Sequence, residues 1–244
     1  MREAVASGEA RHGTVAITDL QTAGRGRLDR RWVAPSGSAL LMSVLVDADV
    51  CGLEVAKWPM VSFCMAYAVQ ASANSVIGRP NAVTLKWPND VIVLNDSATS
   101  HGPNGVTYRK MGGILVEASN GMLIVGCGVN LFRPPNVDPT LGVDAKPIWL
   151  NELTNGQISR DAFAAEVLSS FAQMLETLGR SATELVAMYR SVLATIGWEV
   201  RIESSGSAWS GVAVDIDERG HLVVSNDKGL HHVEVSEVSH VRPV

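Results

Sequence analysis

The chain has 244 residues, of which 46% are hydrophobic and 18% charged, and its formal net charge is −5. That apolar content supports a sizeable core and excludes a disordered chain, while the net acidity argues against a general nucleic-acid binder. Three cysteines, Cys51, Cys64 and Cys127, show no CxxC spacing, which argues against a disulfide framework or a cysteine-rich zinc site and for a reducing compartment.

Residues 1–13 carry Glu3, Glu9 and Arg11 and no signal-peptide pattern. No stretch reads as the roughly 18 apolar residues of a membrane span. The expectation is a soluble cytoplasmic protein without a membrane partner.

In chain order, Thr14 to Asp19 reads as a short buried strand, and Gln21 to Pro35 as a Gly- and Arg-rich loop. Ala39 to Val46 is a second buried strand. From Pro59 to Ile77 apolar residues recur at helical spacing, with Pro59 tolerated in the first turn. Thr84 to Trp87 and Val91 to Leu94 flank a Pro-Asn-Asp turn. Asn95 to Arg109 is a polar insertion, longer than a tight hairpin requires. Met111 to Ala118 and Met122 to Val129 are strands joined by Asn120-Gly121, a strong hairpin signal. Pro134 to Leu141 is a Pro-rich loop. Two helices follow, capped by Ser159 and by Ser181 with Glu184, the second stopping at Gly197 after Ile196. The period then becomes two, in Val200–Ile202, Val212–Ile216, Leu222–Val224 and Val233–Val235, which suggests a small β-barrel. The expected boundary separates residues 1–196 from residues 197–244.

Four short segments carry chemistry. Gly24-Arg25-Gly26-Arg27, continuing to Arg30, Arg31 and Trp32, puts four Arg and one Asp into residues 25–31, a local charge of about +3 on an acidic chain. Glycines let a ligand approach the backbone while guanidiniums meet its anionic groups. A solvated basic turn or a nucleic-acid patch would look the same. Neither GxxxxGK[ST] nor GxGxxG occurs here. Lys86-Trp87-Pro88-Asn89-Asp90 packs a cation, an aromatic, an amide and a carboxylate into one turn. Asn89 and Asp90 are oxygen donors of the kind Mg²⁺ uses beside phosphates, or an ordinary turn bonding its own backbone. Lys110-Met111-Gly112-Gly113 sets a lysine before two glycines that open a strand, as a ligand contact or as a bulge beside a solvated lysine. Gly126-Cys127-Gly128-Val129-Asn130 leaves room on a strand face for a flat apolar ligand or for a closely packed helix.

Together these motifs resemble the catalytic domain of biotin protein ligases, from about His12 to the C-terminus. The carrying residues are Gln21-Thr22-Ala23-Gly24-Arg25-Gly26-Arg27 with Trp32 and Pro35, then Lys86-Trp87-Pro88-Asn89-Asp90, then Lys110-x-Gly-Gly-Ile-Leu, then Gly126-x-Gly-Val-Asn130. Four motifs in one order are far more specific than one. The resemblance implies an α+β fold, a class II aminoacyl-tRNA-synthetase-like mixed sheet flanked by helices, with a C-terminal SH3-like barrel. It implies formation of biotinyl-5′-AMP from biotin and ATP with Mg²⁺, then transfer of biotin to a lysine of the biotin carboxyl carrier domain of an acyl-CoA carboxylase. By the same resemblance Arg25, Arg27 and Lys110 are catalytic. Gln21, Gly24, Arg25, Gly26, Arg27, Lys110, Gly112, Gly113, Ile114, Gly126 and Gly128 bind biotin. Arg25, Arg27, Trp32, Asn89, Lys110, Asn130 and Trp149 bind the nucleotide, and Asn89 and Asp90 take the metal. The cysteines receive no role. A monomer or weak homodimer is expected.

The chain departs from the family in one place. The Ser-Thr-Asn triplet that contacts the ureido end of biotin is absent, and Met1 falls within the helix that should follow it, ending near Gly8. The expectation is a start placed downstream of the native one, with poor biotin adenylation by this form. No DNA-binding helix-turn-helix precedes the first strand, so no DNA partner is expected. Three competing functions are a lipoate or octanoate ligase or transferase, a non-catalytic module that grips the carrier domain, and a nucleic-acid patch on the Arg loop.

Overall fold

The computed structural model describes residues 1–28, 30–95, 107–119, 121–136, 145–204, 207–235 and 240–243. A six-stranded sheet runs in the order β1 (Val15–Thr18), β2 (Ala39–Asp47), β6 (Met122–Asn130), β5 (Tyr108–Ser119), β4 (Asp90–Leu94), β3 (Thr84–Lys86). Its ladders are antiparallel, and parallel character enters through two single bridges, Leu85↔Leu193 and Lys110↔Pro147. A short helix, α1 (Arg2–Ala6), precedes it. The second sheet is five-stranded and antiparallel, in the order β10 (Gly229–Val233), β9 (Leu222–Asn226), β8 (Ser207–Ile216), β7 (Glu199–Ser204), β11 (His240–Pro243).

The core lies between the first sheet and α2 (Val61–Ile77), which packs on β3 to β6 and is covered in turn by α3 (Arg160–Arg180). Strand alternation sorts each strand between two environments. Leu123, Val125 and Val129 of β6 join the core cluster, whereas Ile124, Gly126, Gly128 and Asn130 line a cleft. One face of the sheet therefore packs into the core and the other borders the cleft.

Several expected elements shift. Val15 to Thr18 is a strand but exposed along its whole length, because β1 is the edge and pairs only with β2 among the described residues. The helix expected from Pro59 begins as a 3-10 turn, Val55–Met60, which places the proline before the α-helical hydrogen bonds start. Val55 to Ile77 has the length and hydropathy of a membrane span, contrary to the expectation, but most of it is buried as the core helix of this fold.

Ser159 and Ser181 cap α3 and α4 (Ala182–Ser191) through their hydroxyls, which accept from the N–H groups of Ala162 and Glu184. However, α4 stops at Ser191 rather than Ile196. Residues 192–195 run beside β3 instead: Leu85 N–H donates to Val192 O, and Ala194 N–H to Leu85 O. The strand expected to run to Val235 ends at Val233. Most of the Asn95–Arg109 insertion, and part of the Pro134–Leu141 loop, lie outside the described residues; Tyr108 and Arg109 already belong to β5.

Candidate active site

The turn between β3 and β4 is fixed from several sides. The backbone N–H of Trp87 donates to Thr195 Oγ1 at 2.9 Å, which explains why residues 192–195 leave the helix. The Trp87 indole is fully buried, and its Nε1 donates to Gly220 O of the second sheet at 3.0 Å. Tyr189 Oη donates to Pro88 O at 3.2 Å. Asn89 grips β5 twice, donating Nδ2 to Ile114 O at 2.8 Å and accepting from the Ile114 N–H at 3.0 Å. Asp90 is thereby held in place inside the cleft.

Lys110 Nζ approaches Asp90 Oδ1 at 2.5 Å, and the buried Lys86 Nζ approaches Asp90 Oδ2 at 3.5 Å. Burial pushes the Asp90 carboxyl up, but the two ammonium groups outweigh it and hold the group below the usual carboxylate range. The Lys110 backbone is also gripped, donating to Lys146 O and accepting from the Ile148 N–H. That pairing brings Pro147 and Trp149 to the cleft wall.

The Gly-Arg loop folds back on itself. Arg25 bridges Arg31, Gly26 N–H donates to Arg30 O, and Trp32 N–H donates to Gly24 O. Arg25 lies 3.5 Å from Glu117, which Arg2 of α1 also engages. Arg27 Nη2 donates to Val235 O at 2.6 Å. Burial lowers the Arg27 pKa, opposed by the nearby Asp90 charge and reinforced by Arg30. Trp32 lies across β6: a Cβ on Gly128 would sit 2.6 Å from the indole. Lys110 Nζ stands 5.8 Å from the Trp32 ring centroid, a cation–π placement. Trp32 Nε1 is buried without a hydrogen-bond partner among the described residues, a condition native interiors rarely leave unexplained.

These groups surround a cleft of about 1010 Å³, at the upper end of typical small-molecule sites. It brings together Gln21, Arg25, Gly26, Arg27, Trp32, Asn89, Asp90, Lys110, Gly113, Ile114, Gly126, Gly128, Asn130 and Trp149. Gly24 and Gly112 do not line it. A Cβ on Gly24 would meet Trp32 O at 2.2 Å, and one on Gly112 would meet Gly128 O at 2.9 Å, so both glycines serve close backbone approach.

Residues 1–130 match the biotin/lipoate A/B protein ligase family model, and residues 195–241 match the biotin protein ligase C-terminal domain. The chain is a biotin protein ligase family member. A biotin–[acetyl-CoA-carboxylase] ligase of Mycobacterium tuberculosis is 32% identical over 239 residues, covering 97% of this chain and 82% of that protein. A bifunctional ligase/repressor of Bacillus subtilis is 25% identical, covering 96% of this chain and 68% of that protein. The structure of an Aquifex aeolicus biotin protein ligase in complex with biotin and ATP superposes with a TM-score of 0.79 at 24% identity, covering 96% of this chain and 91% of that one, a likeness of fold.

Within this biotin protein ligase fold, the metal role expected for Asn89 and Asp90 fits poorly. Each Asp90 oxygen faces a lysine ammonium, and Asn89 is engaged by Ile114. Lys86, Arg30, Arg31 and Glu117 also line the cleft and were absent from the expected set. Lys86 stood inside its motif; Glu117 stands at the cleft end of a strand with no local signal. Cys127 lines the cleft, yet burial pushes its thiol up to about 12. It stays protonated at neutral pH and makes a poor nucleophile.

Proposed function

We propose that this chain is an ATP-dependent biotin protein ligase that forms biotinyl-5′-AMP and transfers the biotinyl group to a lysine of a biotin carboxyl carrier domain of an acyl-CoA carboxylase. The observation that carries this reading is the convergence of Arg25, Arg27 and Lys110 on a cleft whose wall is the glycine-bearing face of β5 and β6.

In the first half-reaction a biotin carboxylate oxygen attacks the α-phosphorus of ATP, the bond to the β-phosphate breaks, and pyrophosphate leaves. Two anions must meet, so positive charge is needed where the phosphorus gathers further negative charge. Arg25, Arg27 and Lys110 supply it, and Lys110 has only to exchange the Asp90 carboxylate for a ligand anion. Gly113, Gly126 and Gly128 line the slot for the apolar body of biotin, open at Gly126 and bounded at Gly128 by the Trp32 indole. Trp32, Asn130 and Trp149 take the nucleotide, and the Trp32 indole N–H, without a partner among the described residues, can donate to it. In the second half-reaction the carrier lysine amine attacks the acyl carbon, AMP departs, and the amine loses a proton. No protein nucleophile is required. Closure of the Gly-Arg loop excludes water from the mixed anhydride.

Mg²⁺ enters with the ATP phosphates rather than on Asn89 and Asp90, and it supplies further charge neutralisation there. The division at residues 196/197 separates the cleft-bearing unit from a small β domain. We place the enzyme in the cytoplasm, as its three free cysteines favour, and as a monomer or weak homodimer. The test is biotin-dependent pyrophosphate release, with Lys110→Ala as control. Release that requires biotin and vanishes in the variant supports the reading; release indifferent to biotin, or supported better by lipoate, overturns it.

A further inference from the structure

The second sheet carries a side-chain cluster for which the ligase chemistry has no use. Asp217 and His221 stand on the turn between β8 and β9, and His232 stands on β10, whose register pairs it with Val223. Both imidazoles present Nδ1 to the same carboxylate oxygen, Asp217 Oδ2, His221 at 3.2 Å and His232 at 2.8 Å. The other oxygen, Oδ1, accepts the backbone N–H groups of Arg219 and His221, each at 2.9 Å. One donor atom from each of the three residues lies within 4.8 Å of the others.

We propose that Asp217, His221 and His232 form a binding site for a divalent transition-metal cation of the zinc class. Two imidazole nitrogens and one carboxylate oxygen suit Zn²⁺, Co²⁺, Ni²⁺ or Cu²⁺, whereas Mg²⁺ and Ca²⁺ prefer all-oxygen sets. Tetrahedral Zn²⁺ with bonds of about 2.0–2.1 Å spaces its ligand atoms by about 3.3 Å, so the two Nδ1–Oδ2 distances of 2.8 and 3.2 Å need only a small expansion, while the two imidazoles, whose donor atoms lie within 4.8 Å, draw together on the ion. The backbone bonds to Oδ1 fix the carboxylate and leave Oδ2 to the metal. His221 Nε2 lies 3.9 Å from Glu234 Oε1, longer than a hydrogen bond but within reach of a side-chain rotation that would make it an outer carboxylate to the imidazole. His232 is exposed and provides the entry side. On binding, His221 and His232 each take the Nε2–H tautomer by exchange with solvent, so that both Nδ1 lone pairs face the metal and both rings stay neutral.

The location gives the site a consequence. The Asp217–His221 turn carries Gly220, whose carbonyl accepts from Trp87, and β10 leads to Val235, whose carbonyl accepts from Arg27. A metal bound here joins two segments of the C-terminal half that bond to cleft residues, at Gly220 and Val235.

The test uses the untagged full-length chain, stripped with a chelator and titrated with Co²⁺ by ligand-field absorption and with Zn²⁺ by calorimetry. One saturable equivalent is expected, together with a rise in Tm on Zn²⁺ addition. His232→Ala and His221→Ala should each weaken binding at least about tenfold, while His12→Ala, remote on the first sheet, leaves it unchanged. His232→Ala removes an exposed side chain and its hydrogen bond to Asp217, so its metal-free melt falls only slightly and its binding, measured well below that melt, stands by itself. Absence of saturable binding at micromolar metal, or undiminished binding in His232→Ala, overturns the proposal and leaves the cluster as a hydrogen-bonded turn.

Discussion

Lys110 and Asp90, on adjacent strands of the cleft wall, are joined at 2.5 Å, with Lys86 closing on the opposite carboxylate oxygen. The pair keeps a cation in place before any ligand arrives. Lys110→Ala should lower biotin-dependent pyrophosphate release by about 100-fold or more, the usual cost of deleting a group that stabilises transition-state charge. A rapid-quench assay of the first half-reaction measures it, and a loss confined to the second half-reaction would place Lys110 elsewhere.

The same pair sets an acid limit. The Asp90 carboxyl is held below its ordinary value in the folded chain. Its ionised form therefore stabilises the fold above the unfolded-state value, and that contribution is lost as pH falls through the depressed folded-state value. Asp217 is depressed as well: burial raises it, and hydrogen bonds from His232 and the backbone N–H groups of His221 and Arg219 outweigh that. Only the difference between parent and Asp90→Asn isolates the first group. The variant should lose stability at neutral pH and show a shallower decline in acid; denaturant melts from pH 7 to pH 3 would reveal a parallel decline if Asp90 contributes nothing.

Two cleft glycines should respond differently to one added methyl group. A Cβ on Gly128 would sit 2.6 Å from the Trp32 indole, whereas one on Gly126 would meet nothing closer than 3.5 Å. Gly128→Ala should displace Trp32 and raise the KM for ATP or biotin, with Gly126→Ala near the parent. Similar kinetics for both would show that Trp32 moves freely.

Trp87→Phe leaves Gly220 O buried without its donor. The expected cost is about 1–3 kcal/mol, or roughly 2–4 °C in Tm for each kcal/mol in a chain of this size. Tyr189→Phe removes the donor to Pro88 O, with a cost in the same range. Calorimetry on both variants tests whether the turn is held as tightly as its hydrogen bonds imply.

Cys127→Ser should retain pyrophosphate release to the same order as the parent, because the Cys127 thiol is protonated at neutral pH. Loss of release together with an intact melt would give that thiol a role the cleft geometry denies it.

The cleft was legible in the sequence where small and polar residues recur at every second position of a strand, since a period of two dictates which side chains share a face. Gly126, Gly128 and Asn130 follow that rule. Gly24 and Gly112 look identical in sequence yet serve backbone packing, a distinction only the tertiary partner, Trp32 O or Gly128 O, decides. The exposure of β1 escaped for a related reason: Val15 and Ile17 carry a core-like pattern, but an edge position is a property of topology. The end of α4 was misplaced because Leu193 and Thr195 are recruited by β3 and Trp87, long-range partners that override a sequence still compatible with helix.

Arg27 and Trp87, two side chains of the cleft-bearing half, both terminate on main-chain carbonyls of the other half, at Val235 and Gly220. A carbonyl is supplied by every amino acid, so the recipient side of these contacts is largely indifferent to residue identity. At these two contacts the second sheet can therefore diverge in sequence over evolutionary time, whereas the donors, Gly220 with φ +82° against Phe63, Asp215 paired with Arg190, and Trp198 stacked on Tyr108 are constrained. Grafting the C-terminal segment of a distant relative onto this chain should preserve docking wherever that glycine and the partners of Arg190 and Tyr108 are kept.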